Sequence, residues 1–132
     1  MIELRALVAI LLLTVIGLAC TTPSASAPAE VSVRGSAVAG PVCPVERQPP
    51  DPACAPHPVE GARIAVIDAQ GEQVALATTD ASGGFSVDIV PGTYRLVAMP
   101  VAGLMGTPAP LELDIGPAGA TDIVFEFDTG IR

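Results

Sequence analysis

The stretch from Gly61 to Pro100 reads GARIAVIDAQGEQVALATTDASGGFSVDIVPGTYRLVAMP. It holds four short runs in which apolar residues recur at every second position. Ile64 and Val66 share a face in the first run, and Val74, Leu76 and Thr78 in the second. Phe85, Val87 and Ile89 mark the third, and Tyr94, Leu96 and Ala98 the fourth. Turn chemistry separates them at Asp68–Gly71, Thr79–Gly84 and Pro91–Gly92. Alternation at period two, broken by Gly, Pro and Asp, predicts half-buried antiparallel strands.

The flanks extend the pattern. Val31–Ala39 alternates well enough for a first strand. Gly40–Glu60 follows as a long loop whose prolines forbid a central strand or helix. A second irregular stretch, Pro100–Pro110, leads into Leu111–Ile115, a turn at Gly116–Gly119, and a last strand over Thr121–Asp128 with Ile123, Phe125 and Phe127 inward. No apolar spacing of three and four supports a helix after residue 30. Seven strands in residues 31–132 predict an all-β, antiparallel two-sheet sandwich of the immunoglobulin-like or transthyretin-like kind. A domain of this size buries roughly 60–65% of its unfolded surface.

Residues 1–19 read as a signal segment. Ala6–Ala19 is almost wholly apolar, follows a lone Arg5, ends in small residues and is short for a bilayer span. Cys20 comes next, and residues 20–30 form a Ser/Ala/Pro tether with nothing apolar to order it. A cysteine at that place resembles the lipobox of bacterial lipoproteins, in which the thiol is acylated and becomes the mature N-terminus. Gly17 and Leu18 depart from the usual residues of that motif. An ordinary signal peptide cut near Ala19 and an uncleaved anchor are the alternatives. Each reading places the domain outside the cytoplasm.

With Cys20 assigned to export, Cys43 and Cys54 remain, both inside one proline-rich loop, and they predict a disulfide. Closing such a loop removes about 3 kcal/mol of unfolded-state entropy on the chain-entropy model. The formal net charge of −8 disfavours nucleic acid and anionic headgroups as partners. Lys and Asn are absent from the 132 residues, which removes N-glycosylation acceptors and Lys–Asn or Lys–Asp isopeptide bonds.

Several of these residues together carry a family resemblance. Pro58-Val59-Glu60-Gly61-Ala62, Ile64-x-Val66, Thr79-Asp80-x-x-Gly83-x-Phe85 and Pro91-Gly92-x-Tyr94 resemble the carboxypeptidase regulatory-like domain, a transthyretin-like sandwich related to the B-repeats of collagen adhesins. The resemblance runs over about Val31–Asp128 and implies a non-catalytic appendage, stalk or surface module. The long cystine loop and the Gly-Leu-Met-Gly loop depart from the family pattern.

Candidate sites follow from strand parity. In a seven-strand antiparallel chain the first, third and fifth connections share one pole: Gly40–Glu60, Thr79–Gly84 and Pro100–Pro110. The tether enters at the opposite pole. Loops clustered on a rigid scaffold are where binding commonly resides. Leu104 and Met105 are either an adaptable apolar contact or a core lid. Arg47, Asp51 and His57, in the cystine loop, are either a ligand site or solvated loop groups. Asp68 and Asp80 are better explained by turns than by calcium. No metal site, cofactor or catalytic constellation is expected, since the single His57 has no G-x-S-x-G or zinc spacing around it. The sequence is thus read as a non-catalytic, membrane-tethered extracytoplasmic sandwich in a bacterial envelope, presenting its distal loops to a protein or glycan. A secreted binding or inhibitor module and a structural stalk or assembly subunit are the alternatives.

Overall fold

A computed structural model describes residues 22–132; residues 1–19, read above as a signal segment, and Cys20 lie outside them. Residues 22–30 are exposed and carry no regular structure. Eight strands follow: β1 Val31–Gly40, β2 His57–Pro58, β3 Arg63–Ile67, β4 Gln73–Thr78, β5 Gly84–Ile89, β6 Gly92–Ala98, β7 Leu111–Ile115 and β8 Ala120–Asp128. The strand beyond the seven expected is β2, a two-residue pairing of Val38 and Ala39 with Pro58 and His57. Pro58 is tolerated there because the strand is short and at an edge. Among the described residues the only helical element is the 3₁₀ turn Pro52–Cys54.

Two sheets make the sandwich. One orders β4-β3-β6-β7, entirely antiparallel. The other is built on β1, with β5 antiparallel over Val31–Ser36 and β2 beyond it on one edge, and β8 on the other. The β1–β8 pair is parallel, in register from Val33↔Ala120 to Gly40↔Asp128. The expected all-antiparallel arrangement therefore gives way to a mixed sheet. The reason is parity: seven full passes of alternating direction leave the first and last strands pointing the same way. Once they become neighbours, they must pair in parallel.

Ile64, Val66, Leu96, Phe125, Phe127 and Val33 form the centre of the core, each almost completely buried. Phe85 and Phe125 meet with ring centroids 6.0 Å apart. Gly35 lets them close. A Cβ there would lie 2.3 Å from the Ile123 carbonyl oxygen and 2.6 Å from Cζ of Phe85. The β8 chain bulges at this point, with Asp122 at φ 60°.

Strand β4 turns the alternation round. Val74 and Leu76 are exposed, while Ala77 is buried and Ala75 is half-buried against the core. The small side chains face inward because the register pairs Ala77 with Ile64 and Ala75 with Val66, both of which point into the core.

The turns match their residue chemistry. Asp68 Oδ1 accepts from the backbone amides of Gln70 and Glu72, both at 2.9 Å. Asp80 Oδ1 accepts from the amides of Ser82 (2.9 Å) and Gly84 (3.0 Å) and from the Ser82 hydroxyl (2.6 Å). Those bonds hold the Asp80 carboxyl below its ordinary pKa, the Ser82 hydroxyl first, with burial opposing weakly. Tyr94 buries its ring and donates its hydroxyl to the Val90 carbonyl at 2.7 Å, across the Pro91–Gly92 turn. This is the corner device seen in immunoglobulin-type sandwiches.

Candidate functional site

One pole gathers most of the irregular chain. In β1 the chain runs toward it and ends at Gly40. The register Ser36↔Gly84 places the Asp80 turn there, and Gly106↔Asp128 places the Pro100–Pro110 loop there. The other pole carries the tight turns at Asp68–Gly71, Pro91–Gly92 and Gly116–Gly119, together with the point where residues 22–30 lead into β1. Strand parity had predicted this division.

The two loops and the tail are joined at their bases. Thr129 donates its amide to the Gly40 carbonyl at 3.1 Å and its hydroxyl to the Pro41 carbonyl. The Met105 amide donates to the Asp128 carbonyl at 2.8 Å. Gly83, at φ 77°, sits so close to β1 that a Cβ would approach the Ala37 carbonyl to 2.5 Å. Buried Thr79 ties the remaining corner. Its Oγ1 donates to the Val59 carbonyl and accepts from the Ala62 amide at 2.8 Å.

The cystine loop is ordered by its own bonds. Cys43 and Cys54 form the expected disulfide, with Cα atoms 5.2 Å apart. Asp51 accepts the Ala53 amide on Oδ1 at 2.9 Å and caps the 3₁₀ turn. Arg47 and Asp51 both line two shallow hollows, one of about 370 Å³ with Gln48, Pro50 and Pro52, the other of about 260 Å³ with Cys43, Pro44 and Val45. His57, in β2, lines neither. The cystine-loop candidates thus separate into an adjacent pair and an outlier.

Leu104 and Met105 separate as well. Leu104 is half-buried against the core, while Met105 is 80% exposed and leans on Gly130, its Cγ 2.4 Å from where a Cβ would stand. The first packs as a lid on the core and the second lies on the surface. Asp68 and Asp80 lie at opposite poles and each is occupied by its own turn.

The sequence reading passed over Asp128 and Arg132. Asp128 Oδ2 accepts from Arg132 at 2.9 Å, and its Oδ1 accepts from the Gly130 amide at 2.7 Å. Arg132 first, and then the Gly130 amide, lower the Asp128 carboxyl to about 2. The signal was present in Asp128-Thr129-Gly130, an Asp two residues before a glycine, which is Asx-turn chemistry.

No family model and no curated protein matches this chain. The fold is similar to solved bacterial β-sandwich domains. One is GBS52, the minor pilin of Streptococcus agalactiae, with TM-score 0.57 and 14% identity, covering 76% of this chain and 44% of that one. Another is BcpA, the major pilin subunit of Bacillus cereus, with TM-score 0.54 and 12% identity, covering 78% and 31%. A third is a DUF3823 family protein from Parabacteroides merdae, with TM-score 0.51 and 11% identity, covering 76% and 47%. The chain spans less than half the length of each. At such identities the likeness is one of fold.

Proposed function

We propose that this chain is a non-catalytic, membrane-tethered extracytoplasmic β-sandwich of the carboxypeptidase regulatory-like type. It presents its cystine loop and the Met105 loop to a protein or glycan. One observation carries the reading: the tether enters at one pole, and the disulfide loop, the Met105 loop and the tail are bonded together at the other. An anchor at Cys20 would then turn the elaborated pole away from the membrane. The disulfide suits an oxidising compartment, and the pilin-like fold suits an envelope surface.

The test has two parts. Intact mass of the mature protein should show diacylglycerol on Cys20; an unmodified Cys20, or its loss, favours a secreted module instead. Photo-crosslinkers at Arg47 and Met105 should then capture a common envelope partner that crosslinkers at Ala69 and Ala118, at the tether pole, do not. Equal capture from both poles refutes distal presentation.

An assembly subunit is the second reading, and the pilin-like fold favours it. Lysine is absent from the 132 residues, so none of them offers an ε-amine for a covalent crosslink. Concentration-dependent sedimentation would support non-covalent assembly.

A further inference from the structure

The geometry points to a mechanical role: the β1–β8 pair is a shear clamp that carries tension between the two poles. β1 and β8 are the first and last strands of the domain, they are neighbours, and they run parallel. Load entering at Val31 and leaving after Asp128 therefore pulls on opposite ends of one ladder, along the strand direction. Evenly spaced bonds of a parallel ladder then share the load and must fail together. In a hairpin pulled from its open end the bonds break one after another.

Three features oppose sliding. β8 carries an extra residue between its pairings with Val33 and Gly35, with Asp122 at φ 60° in the bulge. A sliding β8 would have to drag that irregularity past β1. Phe125 and Phe127 are buried in the core from β8, so displacement also pulls aromatic rings out of their packing. Thr129 continues the pairing beyond the strand, through its bonds to the Gly40 and Pro41 carbonyls.

Load on the cystine loop converges on the same strand. β1 is already extended over Val31–Gly40, and the Cys43–Cys54 bond short-circuits the loop that follows it. Tension from that loop passes down β1 to the tether without unravelling any strand. β1 is thus the strut of the domain, for force arriving at either distal element. This role rests on the tethered reading above.

The test is single-molecule pulling on the full chain in detergent micelles. One handle goes on an azide-bearing residue at Ala27, in the tether. The second is appended after Arg132, or placed at Ala118 or Ala69, both exposed in turns at the tether pole. Thermal midpoints of the labelled chains are compared with the parent, and the two peel positions check one another. Forced unfolding follows the unfolding rate, so pulling between Ala27 and the C-terminus should require at least about twofold more force, at equal loading rate, than pulling from Ala27 to either turn. Equal or lower force end to end overturns the clamp. The anchor is read separately by intact mass on Cys20, so failure of the clamp and failure of the tether are told apart.

Discussion

Replacing Thr79 with valine removes one hydroxyl from the fold and leaves the side-chain shape almost unchanged. That hydroxyl is 3% exposed with its residue, donates to the Val59 carbonyl and accepts from the Ala62 amide at 2.8 Å. Val59 and Ala62 are themselves buried, so water does not readily replace the lost partner. Each orphaned backbone group costs about 1–3 kcal/mol, and the extra buried methyl returns about 0.8 kcal/mol. The net loss is then about 1–5 kcal/mol. For a domain of about a hundred residues, at about 4–8 °C per kcal/mol, that lowers Tm by at least roughly 5 °C. Urea unfolding of the oxidised protein is the assay: the midpoint should fall while the slope stays constant. Thr79→Ser keeps both bonds and drops a methyl, so it should cost only about 1 kcal/mol. A valine variant within about 0.5 kcal/mol of the parent, or a serine variant costing more than valine, refutes the reasoning. The consequence reaches the site, because Thr79 joins the corner after β2 to the chain entering the Asp80 turn.

Four further outcomes are expected. Tyr94→Phe should lose about 1 kcal/mol by freeing the Val90 carbonyl, read in the same urea assay. Gly35→Ala should cost about 1–3 kcal/mol through overpacking against Phe85 and the Ile123 carbonyl; an unchanged midpoint would contradict the close approach. Because Asp128 is depressed to about 2, its contribution is present above the unfolded carboxylate pKa and is lost as pH falls through about 2. Arg132→Gln should move the Asp128 titration, followed by NMR, up toward the ordinary 3.8. Replacing Cys43 and Cys54 with serine should cost about 2–4 kcal/mol and raise amide exchange between residues 44 and 53, with little change in the β1–β8 ladder.

Much of this was legible in the residues. Alternation located the seven long strands, because a period of two demands one wet face and one dry face. Gly, Pro and Asp located the turns, because their φ preferences and side-chain bonds act within a few residues. Strand parity then divided the loops between the poles, since each hairpin reverses the chain. The cystine bridge could be read because no other partner for Cys43 and Cys54 lay nearby in the sequence.

What only the tertiary structure decided is who sits beside whom. Nothing local marks β8 as the neighbour of β1; that pairing joins residues some ninety positions apart and exists only when both sheets close over a common core. Gly35 looked like one more strand position until Phe85 and Ile123 closed around it. In β4 both faces are apolar, QVALAT, so periodicity named two faces without saying which was inward. The register with β3 settled it, setting Ala75 and Ala77 beside Val66 and Ile64 and turning Val74 and Leu76 to solvent. Leu104 and Met105 are adjacent in the chain and differ in exposure because only Leu104 packs against the core. Local physics is written along the chain, whereas packing depends on surfaces that meet only after folding.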